Sequence, residues 1–331
     1  MIVIDGSYGE GGGQILRTAV SLSAVVGEQV TIKNIRKNRP NPGLKPQHLK
    51  SIETAALICE AEVEGLYHGS TEILFSPLEI KGLDAIIDIG TAGSIPLLIQ
   101  CIMPAAPFSS GNVKLRIRGG TDVAWSPSVD YLTNVTFKAL SCMGYRSKLQ
   151  TIARGYYPKG GGIVELTIEP ANLTGYDFIR EEDDISGISH ASNLPEHVSR
   201  RQGASAEEVL KEKGFDCDIL VENNEYFSTG SGINLWSGFS GSVSLGKKGL
   251  PAEKVGSRAA EEIAASLLSG AAVDSHLADQ LIPFMGLAGG GSFTTTELTG
   301  HLRTNIWVTE QFLDVMFDVK EADGLVSVCV R

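Results

Sequence analysis

The residues of this chain best placed to do chemistry lie in Gly9-Glu10-Gly11-Gly12-Gly13-Gln14-Ile15-Leu16-Arg17. They set a glycine turn, a carboxylate, an amide and a guanidinium at the mouth of a helix. Main-chain N–H groups at a helix start have no partner within the helix, and glycines there let an anion approach them. The outline is that of a phosphate and metal site, although the same glycines would also serve a turn that only reverses the chain. A dinucleotide-binding turn fits less well, because Gln14 stands where its third glycine belongs. A second group, Lys33, Arg36, Lys37, Arg39, Lys45, His48 and Lys50, concentrates cations near the N-terminal end. Charge clusters are commonly solvated faces. Here Pro40, Pro42 and Gly43 stiffen the loop after Arg36-x-x-Arg39, and Gln47-His48-Leu49 opens a helix beside it. Two guanidiniums on such a loop can grip a terminal phosphate through paired N–H···O bonds.

Positioning these groups requires alternating strands and helices. Ile2 to Ile4 reads as a strand; from Ile15 the apolar residues Leu16, Ala19, Val20, Leu22 and Val26 recur at helical spacing up to Gly27. Val30-Thr31-Ile32 is the next strand, and a helix runs from Gln47 to about Cys59. The order strand, Gly or basic loop, proline, helix occurs three times. It starts at Val30, at Val113 and at Val243, and leads to helices near Ile52, Leu132 and Ile263. Triple glycines recur at Gly11–Gly13, Gly160–Gly162 and Gly289–Gly291. The class is therefore α/β or α+β, with helices packed on small sheets. A stretch from about 179 to 270 opens with the acidic run Glu181-Glu182-Asp183-Asp184 and reads as an inserted small domain.

Composition excludes several functions. The chain has 331 residues, 42% hydrophobic and 20% charged, and no apolar run of membrane-spanning length. Met1-Ile2-Val3-Ile4-Asp5 lacks a secretory pattern, and five scattered cysteines without a CxxC pair suit a reduced, cytoplasmic protein. A net charge of −11 argues against an extended nucleic-acid-binding surface, so any nucleic acid must be held locally.

Five separated blocks together resemble the RNA 3′-terminal phosphate cyclase family over nearly the whole chain. They are Gly9 to Arg17; Arg36-x-x-Arg39 with Pro42-Gly43-Leu44 and Gln47-His48-Leu49; Gly93-Ser94 with Gln100; Ala278-Asp279-Gln280-Leu281; and His301-Leu302-Arg303-Thr304-Asn305. The resemblance implies three repeated βαβαββ units forming a large domain, residues 1–178 and 271–331, with a smaller α/β domain, 179–270, inserted in the third unit. It also implies ATP-dependent conversion of an RNA 3′-phosphate to a 2′,3′-cyclic phosphate through a covalent histidine–AMP, releasing AMP and pyrophosphate.

Carried over residue by residue, the resemblance makes His301 the nucleophile, since a neutral imidazole can attack the α-phosphorus. Asp279 is expected to hold the other ring nitrogen of His301. Glu10 becomes the ligand for Mg²⁺ or Mn²⁺, and Arg17, Arg36, Arg39, Gln47 and His48 take the RNA phosphate. Gln100, His276, Asp279, Gln280 and His301 take ATP. Bacterial relatives typically place an aromatic residue at the position of His276, where it stacks on adenine; an imidazole can stack too. Two other classes share the architecture. A noncatalytic cyclase-like protein of ribosomal RNA maturation would lack the histidine nucleophile, and an enolpyruvyl-type transferase would need neither the arginine pair nor the block around His301.

Overall fold

The computed structural model describes residues 1–181 and 183–331, arranged as helices on small mixed sheets. The first sheet takes β1 (Ile2–Asp5), β2 (Val30–Lys33), β3 (Glu62–Glu64) and β4 (Ile73–Ser76) in the order β1-β2-β4-β3. β1 and β2 are parallel and therefore need a crossover. That crossover is α1 (Gly13–Val26), which buries Ile15, Leu16, Ala19, Val20 and Leu22 and stops at Gly27, a left-handed residue at φ 70°. α2 (Pro46–Cys59) links β2 to the antiparallel pair β3 and β4.

The second sheet has the same order of first, second, fourth and third strand. It takes β5 (Leu83–Asp88), β6 (Val113–Gly119), β7 (Arg146–Ala153) and β8 (Gly162–Glu169), with β5 and β6 parallel. β6 alternates strictly: Val113, Leu115 and Ile117 are buried and Lys114, Arg116 and Arg118 exposed, as expected for one wet face. α3 (Ile95–Ile102) crosses between β5 and β6. α4 (Val129–Tyr131) runs through a π-helical turn at 132–136 into α5 (Phe137–Cys142).

The third sheet takes β9 (Ile185–Ser192), β10 (Cys217–Asn224), β11 (Gly230–Ser237) and β12 (Ser240–Leu245) in the order β10-β9-β11-β12, covered by α6 (His197–Glu212) and α7 (Ala252–Leu268). Its apolar cluster includes Ile185, Leu210, Ile219, Ile233, Leu235, Val255 and Ile263, drawn from residues 185–267. A larger cluster draws on residues 4–178, Phe239 and residues 272–328. The strand at Val243, expected to begin a repeat, is instead β12. It is paired antiparallel with β11, and its following helix α7 buries Val255, Ala259, Ile263 and Leu267 in the 185–267 cluster. Within the acidic run, Glu182 lies outside the described residues, while Glu181 and Asp183 pair with Lys138 of α5 at 2.8 and 2.7 Å.

The chain then forms α8 (Ser275–Ala288), β13 (Ser292–Thr295), α9 (Gly300–Phe312), β14 (Phe317–Ala322) and β15 (Leu325–Val330), with strand order β13-β15-β14. Asp177 pairs in parallel with Ser292 at the first strand of this sheet.

Candidate active site

Three helix N-termini meet beside His301. α1 starts from Gly12 with no side-chain cap, after Gly9 and Gly11, which adopt φ 54° and 58° in the turn. At this start the absence of side chains leaves room for neighbours: a Cβ on Gly12 would come 3.3 Å from Arg39 Nη2, and one on Gly13 would come 2.5 Å from His48 Nε2. His48 is in the first turn of α2, where its Nδ1 accepts the Lys45 N–H at 3.1 Å. α9 begins at Gly300, whose added Cβ would lie 2.6 Å from Glu10 Oε1, and Thr299 caps it by accepting the Leu302 N–H. Each helix start contributes unpaired N–H groups and the positive end of a dipole. Their convergence sets main-chain donors and helix-dipole positive ends side by side, an arrangement that can receive negative charge.

The i and i+4 faces of two helices interlock here. His301 and Asn305 on α9 meet Gln14 and Thr18 on α1: His301 Nδ1 contacts Gln14 Oε1, and Thr18 Oγ1 donates to Asn305 Oδ1 at 2.8 Å. The Gln14 Nε2 donates to Asp279 Oδ1 at 3.3 Å and to the His301 carbonyl at 3.1 Å. Those two acceptors fix the amide orientation, so Oε1 faces the imidazole and Nδ1 must carry the hydrogen. The lone pair is thereby assigned to Nε2. Burial, joined by Arg17 and Arg39 and opposed by Glu10, lowers the His301 pKa below its ordinary value, which keeps the ring neutral and nucleophilic.

Glu10 Oε2 lies 3.3 Å from His301 Nε2 and 3.5 Å from Arg39 Nη2. A carboxylate oxygen facing an imidazole lone pair calls for a proton or a cation between them. A half-exposed single carboxylate next to an anion pocket suits Mg²⁺ or Mn²⁺, which take few protein ligands and share phosphate oxygens. The donor set thus fits a divalent ion held by Glu10.

Asp279 does not take the place expected of it. Its carboxylate meets Gln14, and Gln14 meets the ring, so Asp279 acts on His301 through an amide. The cause lies in α8: Pro283 has no N–H for the carbonyl four residues back, which is that of Asp279. Asn305 Nδ2 supplies the missing donor at 2.7 Å and so draws this turn of α8 onto α9. Burial, reinforced by Asp274 and Glu10 and opposed by Arg17, pushes the Asp279 pKa up to about 7.

Arg17 is half-buried among these groups, and burial lowers its pKa against the pull of Cys101 and Asp279. It lines a pocket with Gln14, Thr18, Gln100, Asp279, Gln280, Asn305, Met103, Pro104, Pro283 and Phe284. His48 is pushed down to about 3 by burial and by Arg17, Arg36 and Lys45, so its ring is neutral and, with Nδ1 accepting from Lys45, carries its hydrogen on Nε2.

Other expected site residues lie elsewhere. Arg36, at φ 56°, donates from Nη1 to the carbonyls of Asn41 and Gly43 at 2.8 and 3.1 Å and so braces its own loop, while Arg39 faces the site. Gln47 accepts the N–H of Ser94, the cap of α3, at 3.2 Å. His276 is exposed at the start of α8 with Glu262 at 3.9 Å and does not line the pocket of Gln100 and Gln280. Gln14, Thr18 and Asn305 were the residues without assigned roles. Their signal in the sequence is the matching four-residue spacing of Gln14 to Thr18 and His301 to Asn305.

A family model described as RNA 3′-terminal phosphate cyclase matches residues 8–319. A protein of Methanosarcina mazei bearing the same name is 58% identical over 351 residues, covering 100% of both chains. One of Methanosarcina barkeri is 59% identical over 330 residues with the same coverage. One of Archaeoglobus fulgidus is 52% identical, spanning 95% of this chain and 96% of its own length.

Proposed function

The chain belongs to the RNA 3′-terminal phosphate cyclase family, and from that premise we propose that it converts RNA 3′-phosphate ends to 2′,3′-cyclic phosphates with ATP. The observation that carries the mechanism is the hydrogen-bond chain Asp279–Gln14–His301, which leaves Nε2 as the free nucleophilic nitrogen. In the first step Nε2 attacks the α-phosphorus and pyrophosphate departs, leaving AMP on His301. An oxygen of the RNA 3′-phosphate then attacks that phosphorus and returns the electron pair to the imidazole. Finally the neighbouring 2′-hydroxyl attacks the 3′-phosphorus, loses its proton and expels AMP. This last displacement needs no second protein nucleophile, because the hydroxyl is held beside the phosphorus.

Arg17, Arg39, His48 and the start of α1 support the phosphates, and Gln100 and Gln280 line the neighbouring nucleotide pocket. A divalent ion at Glu10 would offset charge on the triphosphate. A noncatalytic role is disfavoured by the intact His301 with its hydrogen-bonded partners, and an enolpyruvyl-type role has no use for a histidine nucleophile.

The large domain of this reading comprises 1–178 and 271–331 as three βαβαββ units. The shared strand order of the first two sheets supports it, as does the parallel pairing of Asp177 with Ser292 beside β13-β15-β14. The stretch 179–270 is then the inserted domain, between the bridge residue Asp177 and α8, supported by its separate apolar cluster. A cytoplasmic location suits the five cysteines, all without disulfides, and no helix among the described residues is long and apolar enough to cross a membrane.

The test is incubation with ATP labelled at the α-phosphate, followed by denaturing electrophoresis. Label should attach to the wild-type chain through an acid-labile, alkali-resistant bond and be lost in His301→Ala. Label that persists in that variant removes His301 from the mechanism. RNA bearing a 3′-phosphate should emerge with a cyclic end, together with AMP and pyrophosphate.

A further inference from the structure

The two most exposed aromatic rings among the described residues, Trp125 and Tyr157, stand on turns beside one loop. Trp125 is 100% exposed and Tyr157 77%. Trp125 also has φ 67°, a left-handed conformation that is unfavourable for a bulky residue, so neither burial nor backbone preference accounts for its presence. The turn carrying Trp125 follows Gly120, and the turn carrying Tyr157 ends at Gly160. An added Cβ on Gly120 would lie 2.6 Å from the Ala92 carbonyl oxygen, and one on Gly160 would lie 2.9 Å from Ala92 Cα. Both turns therefore clasp the same residue.

A third exposed ring, Phe227, comes from the 179–270 region and packs on Gly161 next to the Tyr157 turn. Lys159 Nζ and Arg118 Cζ lie over this ring at 5.9 and 5.8 Å from its centroid. Arg118 shares its charge with Asp88 at 3.8 Å. The patch is thus aromatic with a cationic flank, in a chain whose net charge is −11. It is also continuous with the phosphate site. Ala92 precedes Gly93, whose added Cβ would lie 3.4 Å from Gln47 Cβ; Gln47 precedes His48, which abuts Gly13.

Resting on the cyclase reading of the site, we propose that the RNA strand leading to the 3′-phosphate runs over this patch. Bases stack on Trp125 and Tyr157, and backbone phosphates meet Lys159 and Arg118. Stacking tolerates any base while cations grip the backbone, which is the general design for holding a single strand without reading sequence. The platform would select flexible single-stranded ends several nucleotides long.

The experiment measures KM and kcat for two substrates, a 3′-phosphorylated dinucleotide and a 3′-phosphorylated single-stranded 12-mer, with His301 self-labelling as the control for folding. Trp125→Ala and Tyr157→Ala should each raise KM for the 12-mer by about five- to a hundredfold, the range of one lost stacking contact. The dinucleotide KM and self-labelling should not change. Lys159→Ala should reduce the salt dependence of 12-mer affinity by about 0.7 in the log–log slope, one single-strand phosphate contact. If the wild type cyclises both substrates and the aromatic variants match it on the 12-mer, or lose equally on both substrates, the platform is overturned while the cyclase reading stands. A wild type that labels itself but cyclises neither substrate overturns the cyclase reading, and the platform with it.

Discussion

Gln14 is the residue on which the nucleophile turns. It donates to two oxygens and so can only accept from His301, which leaves the reactive lone pair on the nitrogen beside Glu10. Replacing it by Met keeps the length and removes the amide. Self-adenylation of Gln14→Met should fall about a hundredfold, the scale of misplacing a reacting group, with less change in KM for ATP. Single-turnover labelling rates would check this, and an unchanged rate would mean the ring is oriented by packing alone. Asp279 gives a pH signature. Its folded pKa of about 7 stands above the unfolded 3.8, so the folded state binds the extra proton between these values and stability falls as pH rises through that window. Asn keeps an acceptor for Gln14 without the ionisation. Asp279→Asn should therefore melt like the wild type near pH 4 and increasingly above it up to pH 7–8; a difference independent of pH would show that Asp279 does not titrate there. The two arginines should also separate. Arg39→Ala should lose about ten- to a hundredfold in cyclisation, the value of a charged hydrogen bond of ~1.5–3 kcal/mol. In Arg36→Ala the loss should appear first as a lower melting temperature, because its Nη1 holds the loop at Asn41 and Gly43. His301, Glu10 and Arg39 were legible as residue types in their blocks. The intermediary role of Gln14 was not, because its partners lie 265 and 287 positions away.

At the scale of elements, the site depends on α1, α8 and α9 holding one register. Two helix starts were readable from glycine and proline patterns, with α1 and α2 beginning within two residues of Ile15 and Gln47, whereas α9, which carries His301, was not read as a helix. Local chemistry sets those boundaries. The mutual rotation of the helices was not readable, since it is fixed by Thr18 to Asn305 and by Asn305 to the carbonyl that Pro283 leaves open. Asn305→Ala strands a buried hydroxyl and a helix carbonyl together. It should cost about 1–3 kcal/mol of stability, the range for an unsatisfied buried group, and slow self-adenylation as Asp279 and His301 drift apart. Denaturant unfolding at constant m-value and labelling rates would measure both effects. Full stability in the variant would mean that water replaces the amide. The strand at Val243 shows the opposite limit: a correct strand and helix in sequence, yet a different sheet, because pairing partners are chosen by distant strands.

Across the whole molecule, the third sheet is tied to the second by a buried ionic knot. Arg154 Nη1 lies 2.6 Å from Asp130 and 3.4 Å from Asp122, and its Nε donates to Glu222 of β10 at 3.1 Å. His190 of β9 joins through Tyr156, Asn234 and Asp122. Asp122, Asp130 and His190 offer ligand atoms within 4.8 Å of one another, a spacing a metal could use, but the Arg154 guanidinium already supplies the positive charge there. Burial raises the Asp122 pKa, yet His190 and Arg154 outweigh it and hold the carboxylate ionised. None of this was legible in the sequence, where Asp122, Arg154 and His190 sit in unrelated segments with no motif. Breaking one side of such a knot leaves uncompensated buried charge, so Arg154→Met should destabilise the protein by about 3–5 kcal/mol. The loss should not be uniform. The 185–267 cluster is separate from the main core, and among the described residues no hydrogen bond or ion pair joins His301, Gln14 or Asp279 to the knot, so the third sheet should loosen first. Hydrogen exchange in the variant should accelerate in β9, β10 and β11 before α1 and α9, while self-adenylation at low temperature persists. Equal acceleration in both regions, or loss of labelling while α1 and α9 remain protected, would show that the knot supports the adenylation site itself.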